Sequence, residues 1–200
     1  MSKNTKKSHI GLIIFIIILV LAIAGGAGFY FYQRQQPKKA AEKFLSSMQK
    51  IDFNKDWMCR CLTRDEEAYP VTLPHDAMLS EPRTQESTGE GNIGWYIGGD
   101  YEYTKNFFVP EEYKDKKVLI EFEGIYHNGE VYINGKKAAY RPYGYTNFYV
   151  DTEGFFQYGK ENEIKVIARN ADQPNSRWYS GTGIYRPAYL YVGEEKHIPV

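Results

Sequence analysis

Three hydrophobic patterns follow one another along the 200 residues. Residues 10–32 hold no charged side chain and are mostly Ile, Leu, Val, Ala, Gly and Phe. Roughly 20 apolar residues in a helix cross a hydrocarbon layer about 30 Å thick, so this run predicts a transmembrane helix. Residues 37–50 come next, with Ala41, Phe44, Leu45 and Met48 spaced by three and four along one face. That period predicts a short juxtamembrane helix, and Pro37 suits its first turn. From there the period drops to two. Residues 101–109, 118–123, 130–133, 146–150, 162–169 and 184–192 are short β-branched and aromatic runs parted by Gly, Pro, Asn and Asp. Each predicts a strand. Asn134-Gly135 predicts a two-residue hairpin turn, because both residues tolerate positive φ. Many short strands without a long amphipathic helix predict an all-β sandwich or barrel. The expected organisation is therefore a tail over 1–9, an anchor over 10–32, a juxtamembrane helix and linker over 33–50, and a β domain over 51–200.

Charge sharpens this division. The formal net charge is zero, but residues 1–47 carry seven basic side chains and one acidic, net +6, which leaves 18 basic against 24 acidic, net −6, beyond. An acidic β domain argues against a nucleic-acid partner, since phosphate binding relies on clustered Lys and Arg. Lys3, Lys6 and Lys7 ahead of the apolar run, with Ala22-Ile23-Ala24 inside it, have the form of a cleavable signal. The apolar character continues through Phe29-Tyr30-Phe31-Tyr32, which favours an uncleaved single-pass anchor with aromatics at the interface. Arg34, Lys38, Lys39 and Lys43 rival the N-terminal lysines for orientation; the short N-terminal tail favours placing the C-terminal domain outside the cytoplasm.

Candidate chemistry is sparse. Cys59 and Cys61 are the only cysteines, too close in sequence to close a useful loop, and are expected to be free thiols. His9, His75, His127 and His197 show no ligand spacing, so neither a metal nor another cofactor is expected. The densest stretch is 172–186, Asp-Gln-Pro-Asn-Ser-Arg-Trp-Tyr-Ser-Gly-Thr-Gly-Ile-Tyr-Arg. Its glycines allow a shaped loop, and Trp178 and Tyr179 offer flat amphipathic faces of the kind that hold sugar rings.

This stretch, with Leu-Pro-His-Asp at 73–76, Val-Pro-Glu-Glu-Tyr at 109–113, Val-Tyr-Ile-Asn-Gly at 131–135 and Pro-Tyr-Gly-Tyr-Thr-Asn-Phe at 142–148, resembles the N-terminal sugar-binding domain of glycoside hydrolase family 2. That family comprises β-galactosidases, β-glucuronidases and β-mannosidases. The resemblance covers about residues 50–195 and implies a jelly-roll β-sandwich of the galactose-binding-domain-like type. It implies a carbohydrate partner, and catalytic glutamates on a downstream (β/α)8 barrel rather than in residues 1–200. No catalytic residue is therefore nominated; Asn162-Glu163 matches the family's Asn-Glu pair by letters but begins a strand. The loops that the resemblance places beside the sugar nominate His75, Asp76, Asn175, Arg177 and Trp178. Arg177 would supply a fork of donors, and Asn175 both a donor and an acceptor.

Overall fold

The computed structural model describes residues 26–28, 30, 32 and 34–194. It divides into two compact units, the first ending at Ser47 and the second beginning at Met48.

In the first unit residues 26–28, 30, 32 and 34–46 are helical. The Ser46 and Ser47 hydroxyls donate back to the carbonyls of Lys43 and Phe44 at 2.8 and 2.7 Å, satisfying acceptors that the last turn leaves open. The helix expected over 37–50 thus stops at Ser46, and Gln49 already lies in a strand. The apolar run over 10–32 falls outside the described residues except for Gly26, Ala27, Gly28, Tyr30 and Tyr32. Among the described residues no helix is long and apolar enough to cross a membrane.

The second unit is all-β. Ten strands run β1 Gln49–Asp52, β2 Trp57–Cys61, β3 Tyr69–Val71, β4 Asp100–Val109, β5 Lys116–Phe122, β6 Gly129–Ile133, β7 Lys136–Arg141, β8 Phe148–Asp151, β9 Lys160–Arg169 and β10 Ala188–Glu194. They form two antiparallel sheets, ordered β1-β10-β5-β8 and β3-β2-β4-β9-β6-β7. Alternation dictates what each sheet buries. Val118, Ile120 and Phe122 of β5 and Leu190 and Val192 of β10 meet Trp57, Cys59, Tyr103, Ile164 and Val166 of the larger sheet in one core. Trp57 is fully buried, donates its indole N–H to the Phe53 carbonyl at 2.8 Å and stands edge-on to Phe122 across the gap between sheets.

All six strands read from the sequence are present, with ends moved by up to four residues. The largest shift is at the last: residues 184–187 stay in the loop, and pairing starts at Ala188, whose N–H donates to Asn54 Oδ1 at 2.8 Å. The Asn134-Gly135 turn is real, with φ of 50° and 77°, and joins β6 to β7. Four strands go beyond the sequence reading. β1 and β3 are short, β2 buries two cysteines, and β7, Lys-Lys-Ala-Ala-Tyr-Arg, has no apolar face to announce it. Cys59 and Cys61 are free thiols on the core side of β2, and burial pushes Cys59 up to about 11.

Candidate functional site

One edge of the sandwich gathers the loop after β3, the loop before β8 and the long connection from β9 to β10. The last of these contains every glycine-rich and aromatic feature of residues 172–186. Its root is fastened by Asp76. One carboxylate oxygen accepts from the N–H groups of Met78 and Thr182, at 3.1 and 3.0 Å. The other accepts the Tyr179 hydroxyl at 2.6 Å. Backbone bonds from His75 N–H to the Ile184 carbonyl and from Ala77 N–H to the Thr182 carbonyl, each 2.9 Å, complete the seam. Gly183, at φ 112°, has no room for a Cβ, which would fall 2.0 Å from the Tyr103 hydroxyl. Glycine is required here both by conformation and by space.

His75 lies beside this seam. Its Nδ1 is 2.9 Å from the Tyr103 hydroxyl, and its ring stands edge-on to Tyr69 and Tyr103. Burial pulls its pKa below the ordinary 6.5, against the opposing pull of Asp76. The same interior setting pushes the Tyr103 phenol well above its usual value and Tyr69 up to about 12.

The tip of the loop is tied from another direction. Asn170, buried at the end of β9, donates to the Gly181 carbonyl and to the Thr182 hydroxyl at 3.0 and 2.5 Å. Its side-chain oxygen accepts from Asn175 at 2.6 Å and from Gln173 at 2.9 Å. Asn175 also donates to the Asp172 carbonyl at 2.9 Å, sits 3.1 Å from His127 Nε2 and accepts the Tyr126 hydroxyl at 3.3 Å. Burial lowers the pKa of His127 as well. Beyond this lattice the side chains open outward. Trp178 is 61% exposed, with its indole N–H held by the Tyr145 hydroxyl at 3.1 Å. Arg177 is exposed and has no hydrogen-bond or ion-pair partner among the described residues. Tyr126, Tyr143 and Tyr145 form a chain of edge-to-face rings, with centroids 5.2 and 5.6 Å apart, leading away from Trp178.

Of the five nominated residues, then, His75 and Asp76 are engaged inside the seam. Asn175, Arg177 and Trp178 stand on the exposed tip, with Asn175 partly committed to its neighbours. The residues that shape the tip, Tyr126, His127, Tyr145 and Asn170, carried no separate signal beyond Tyr145's place in the 142–148 motif. Asn162 is a buried plug: it accepts from Gln157 N–H and donates to the Gln157 and Lys160 carbonyls, and Glu163 beside it is exposed. The Asn-Glu match by letters is structural. Among the described residues no three His, Cys, Asp or Glu side chains come together as a metal site requires.

Known proteins place this arrangement. Over 160 residues the chain is 36% identical to the β-galactosidase BoGH2A of Bacteroides ovatus, covering 76% of this chain and 19% of that protein. It is 36% identical over 165 residues to a β-galactosidase of Thermoanaerobacter pseudethanolicus, covering 74% and 21%. The crystal structure of a β-glycosidase from Bacteroides vulgatus superposes with a TM-score of 0.69 at 35% identity, over 76% of this chain and 21% of that one. The chain thus spans about a fifth of the length of these relatives. Residues 51–197 match the family described as glycosyl hydrolase 2 galactose-binding domain-like, and the chain belongs to that family.

Proposed function

We propose that this chain supplies the non-catalytic, sugar-binding jelly-roll of a β-galactosidase-like family 2 glycosidase, with Asn175, Arg177 and Trp178 touching the saccharide and His75 and Asp76 fixing the loop that presents them. The observation that carries this is the contrast within one loop. A root held by five short hydrogen bonds through Asp76 and its neighbours carries a tip that leaves an indole face and a guanidinium free. Rigid support under exposed aromatic and polar groups is what sugar recognition needs, because each immobilised side chain otherwise adds an entropic cost. The jelly-roll reading is supported by strand order: β1-β10-β5-β8 lies opposite β4-β9-β6-β7, the interleaving of two Greek keys, with β2 and β3 added at one edge.

Hydrolysis needs two carboxyl groups placed on either side of the scissile bond. The reading assigns that work to the barrel of a complete family 2 enzyme, which the exposed tip would face. The test is equilibrium binding of methyl β-galactoside to the full chain, run beside hydrolysis of a nitrophenyl β-galactoside. Binding without hydrolysis is expected. Hydrolysis by this chain, or binding at residues 175–178 that survives Trp178→Ala combined with Arg177→Ala, would overturn the reading.

The apolar residues 10–32 support one further element, a single-pass anchor that tethers the domain with its C-terminal part outside the cytoplasm. Alkaline extraction of membranes is the check. The full chain is expected to stay with the lipid and a chain lacking residues 10–32 to be released; release of both would remove the tether.

A further inference from the structure

The four-stranded sheet turns its outer face away from the core, and that face holds a buried carboxylate. Alternation puts Val118, Ile120 and Phe122 of β5 inside, so Glu121 points outward; yet it is only 4% exposed. Register sets it between Tyr189 of β10 and Tyr149 of β8. Its two oxygens accept from Asn147 Nδ2 at 2.8 Å and from the Tyr191 hydroxyl at 2.9 Å. Tyr149 lies opposite it in the register, and burial, then Glu121 beside it, pushes the Tyr149 phenol up. Every one of these donors is neutral. No Lys, Arg or His pairs with Glu121 among the described residues.

A desolvated carboxylate without a counter-ion is costly to hold, and a fold that needed only packing here would place an apolar residue. A carboxylate has about four acceptor directions, and the donors named above leave room for another.

Beside Glu121 a shallow cleft of about 320 Å³ opens, lined by Glu121, Glu123, Tyr145, Thr146, Asn147 and Arg186. That is at the small end of ligand clefts, which run about 300–1,000 Å³. Arg186 is exposed, and its guanidinium makes only a 3.5 Å contact with the Tyr145 carbonyl and a stack on Tyr185. Thr146 and Asn147 are exposed and can both donate and accept. Glu123 is half-exposed, with Lys50 at 4.0 Å. Acceptors and donors therefore share one cleft, with the Tyr145 ring among its lining residues. This is the pattern that neighbouring hydroxyls of a pyranose satisfy, since each hydroxyl donates once and accepts once.

We infer that this lateral cleft is a second saccharide subsite, taking a neutral sugar whose hydroxyls donate to Glu121 and Glu123 and accept from Arg186 and Asn147. The inference rests on the carbohydrate reading above and extends it to a different face. A uronic acid or phosphate is disfavoured, because its charge would meet the Glu121 carboxylate, which has no cationic partner of its own among the described residues. Hydrolysis is not what the pair is built for: Glu121 near the end of β5 and Glu123 just past it are two residues apart and line the same cleft wall rather than opposite sides of a bound linkage. Tyr145 connects the two regions, lining this cleft and accepting the Trp178 N–H.

The experiment is an amide chemical-shift titration of the full 200-residue chain with methyl β-galactoside, repeated with methyl β-glucuronide. The galactoside is expected to shift residues 121–123 and 145–147, and the glucuronide to bind there at least tenfold more weakly. Arg186→Ala, at an exposed position, and Glu123→Gln, at a half-exposed one, are each expected to weaken that response about tenfold, the loss of one charge-assisted hydrogen bond. Both should leave the melting temperature and any response at residues 175–178 unchanged. Shifts confined to residues 175–178 would sink the lateral subsite and spare the earlier reading; shifts confined to 121–123 and 145–147 would do the reverse. No shift at either place, or equal binding of both sugars in the cleft, would also overturn the inference.

Discussion

Root and tip of the 172–186 loop are separated by a few residues and behave as different materials. At the root, Thr182, Gly183 and Ile184 are buried, and their backbone groups pair with His75, Asp76, Ala77 and Tyr126. At the tip, Asn175, Arg177, Trp178 and Tyr179 are exposed, held mainly by side-chain bonds from Asn170, Asp76 and Tyr145. The difference shows how an antiparallel sandwich can carry a specific surface on a loop. Order is imposed where the chain leaves the sheet, so the tip has little left to lose when a ligand arrives. Substitutions at the two places should therefore separate stability from binding.

The largest effect is expected at the root. Gly183→Val forces a β-branched residue into a positive φ and drives its Cβ against the Tyr103 hydroxyl. Strain and overpacking together should cost about 3 kcal/mol or more, lowering the melting temperature by roughly 10 °C for a domain of this size. A melt unchanged within error would show that the seam does not hold the loop. Next comes Asp76→Ala, which leaves the Met78 and Thr182 N–H groups and the Tyr179 hydroxyl without their acceptor. About 2 kcal/mol is the expected loss, with binding at the tip weakened as well because Tyr179 and the Thr182 N–H are freed. Asp76→Asn, which keeps one acceptor oxygen, should fall between this variant and the native chain.

A smaller effect should appear with pH. His75 and His127 are both held below their ordinary value of 6.5 by burial, so the folded state prefers them neutral. Below pH 6.5 the unfolded chain takes up protons that the folded chain refuses, so stability is full above that value and falls as the solution is acidified. Denaturant midpoints at pH 7.5 and pH 5 should differ in that direction, and His75→Gln should flatten the difference. The smallest stability effect belongs to the tip: Trp178→Ala should move the unfolding free energy by no more than about 0.5 kcal/mol while removing the sugar response at residues 175–179.

The same division explains what the sequence discloses. Among the six strands it announces, β4 and β9, with ten residues each, show the longest period of two, whereas β2 alternates over only five residues and buries cysteines rather than β-branched side chains. β7 is fixed by the Asn134-Gly135 turn and by pairing to β6, not by any apolar face of its own, and β1 and β3 are short additions at sheet edges. The loop 172–186 is visible as a shaped loop because glycine, proline and aromatics rarely cluster without a defined turn. Which of its neighbours face inward is not visible, because Asp76 and Asn175 are both short polar side chains, and only the fold sets Met78 and Thr182 against the one and Asn170 and Tyr126 against the other. Glu121 is the clearest case. Its place in the alternation says exposed, and only the arrival of Tyr149, Tyr191 and Asn147 from β8, β10 and the loop between β7 and β8 buries it.

The most direct test of the central claim follows Asn175, Arg177, Trp178 and Tyr179 by amide chemical shift as methyl β-galactoside is added to the full chain and to its Trp178→Ala variant. A rigid root presenting a sugar-binding tip predicts saturable shifts at these residues in the native chain and their loss in the variant, with both chains melting at the same temperature. Shifts that persist undiminished in Trp178→Ala, or a native tip that does not respond to the sugar, would contradict it.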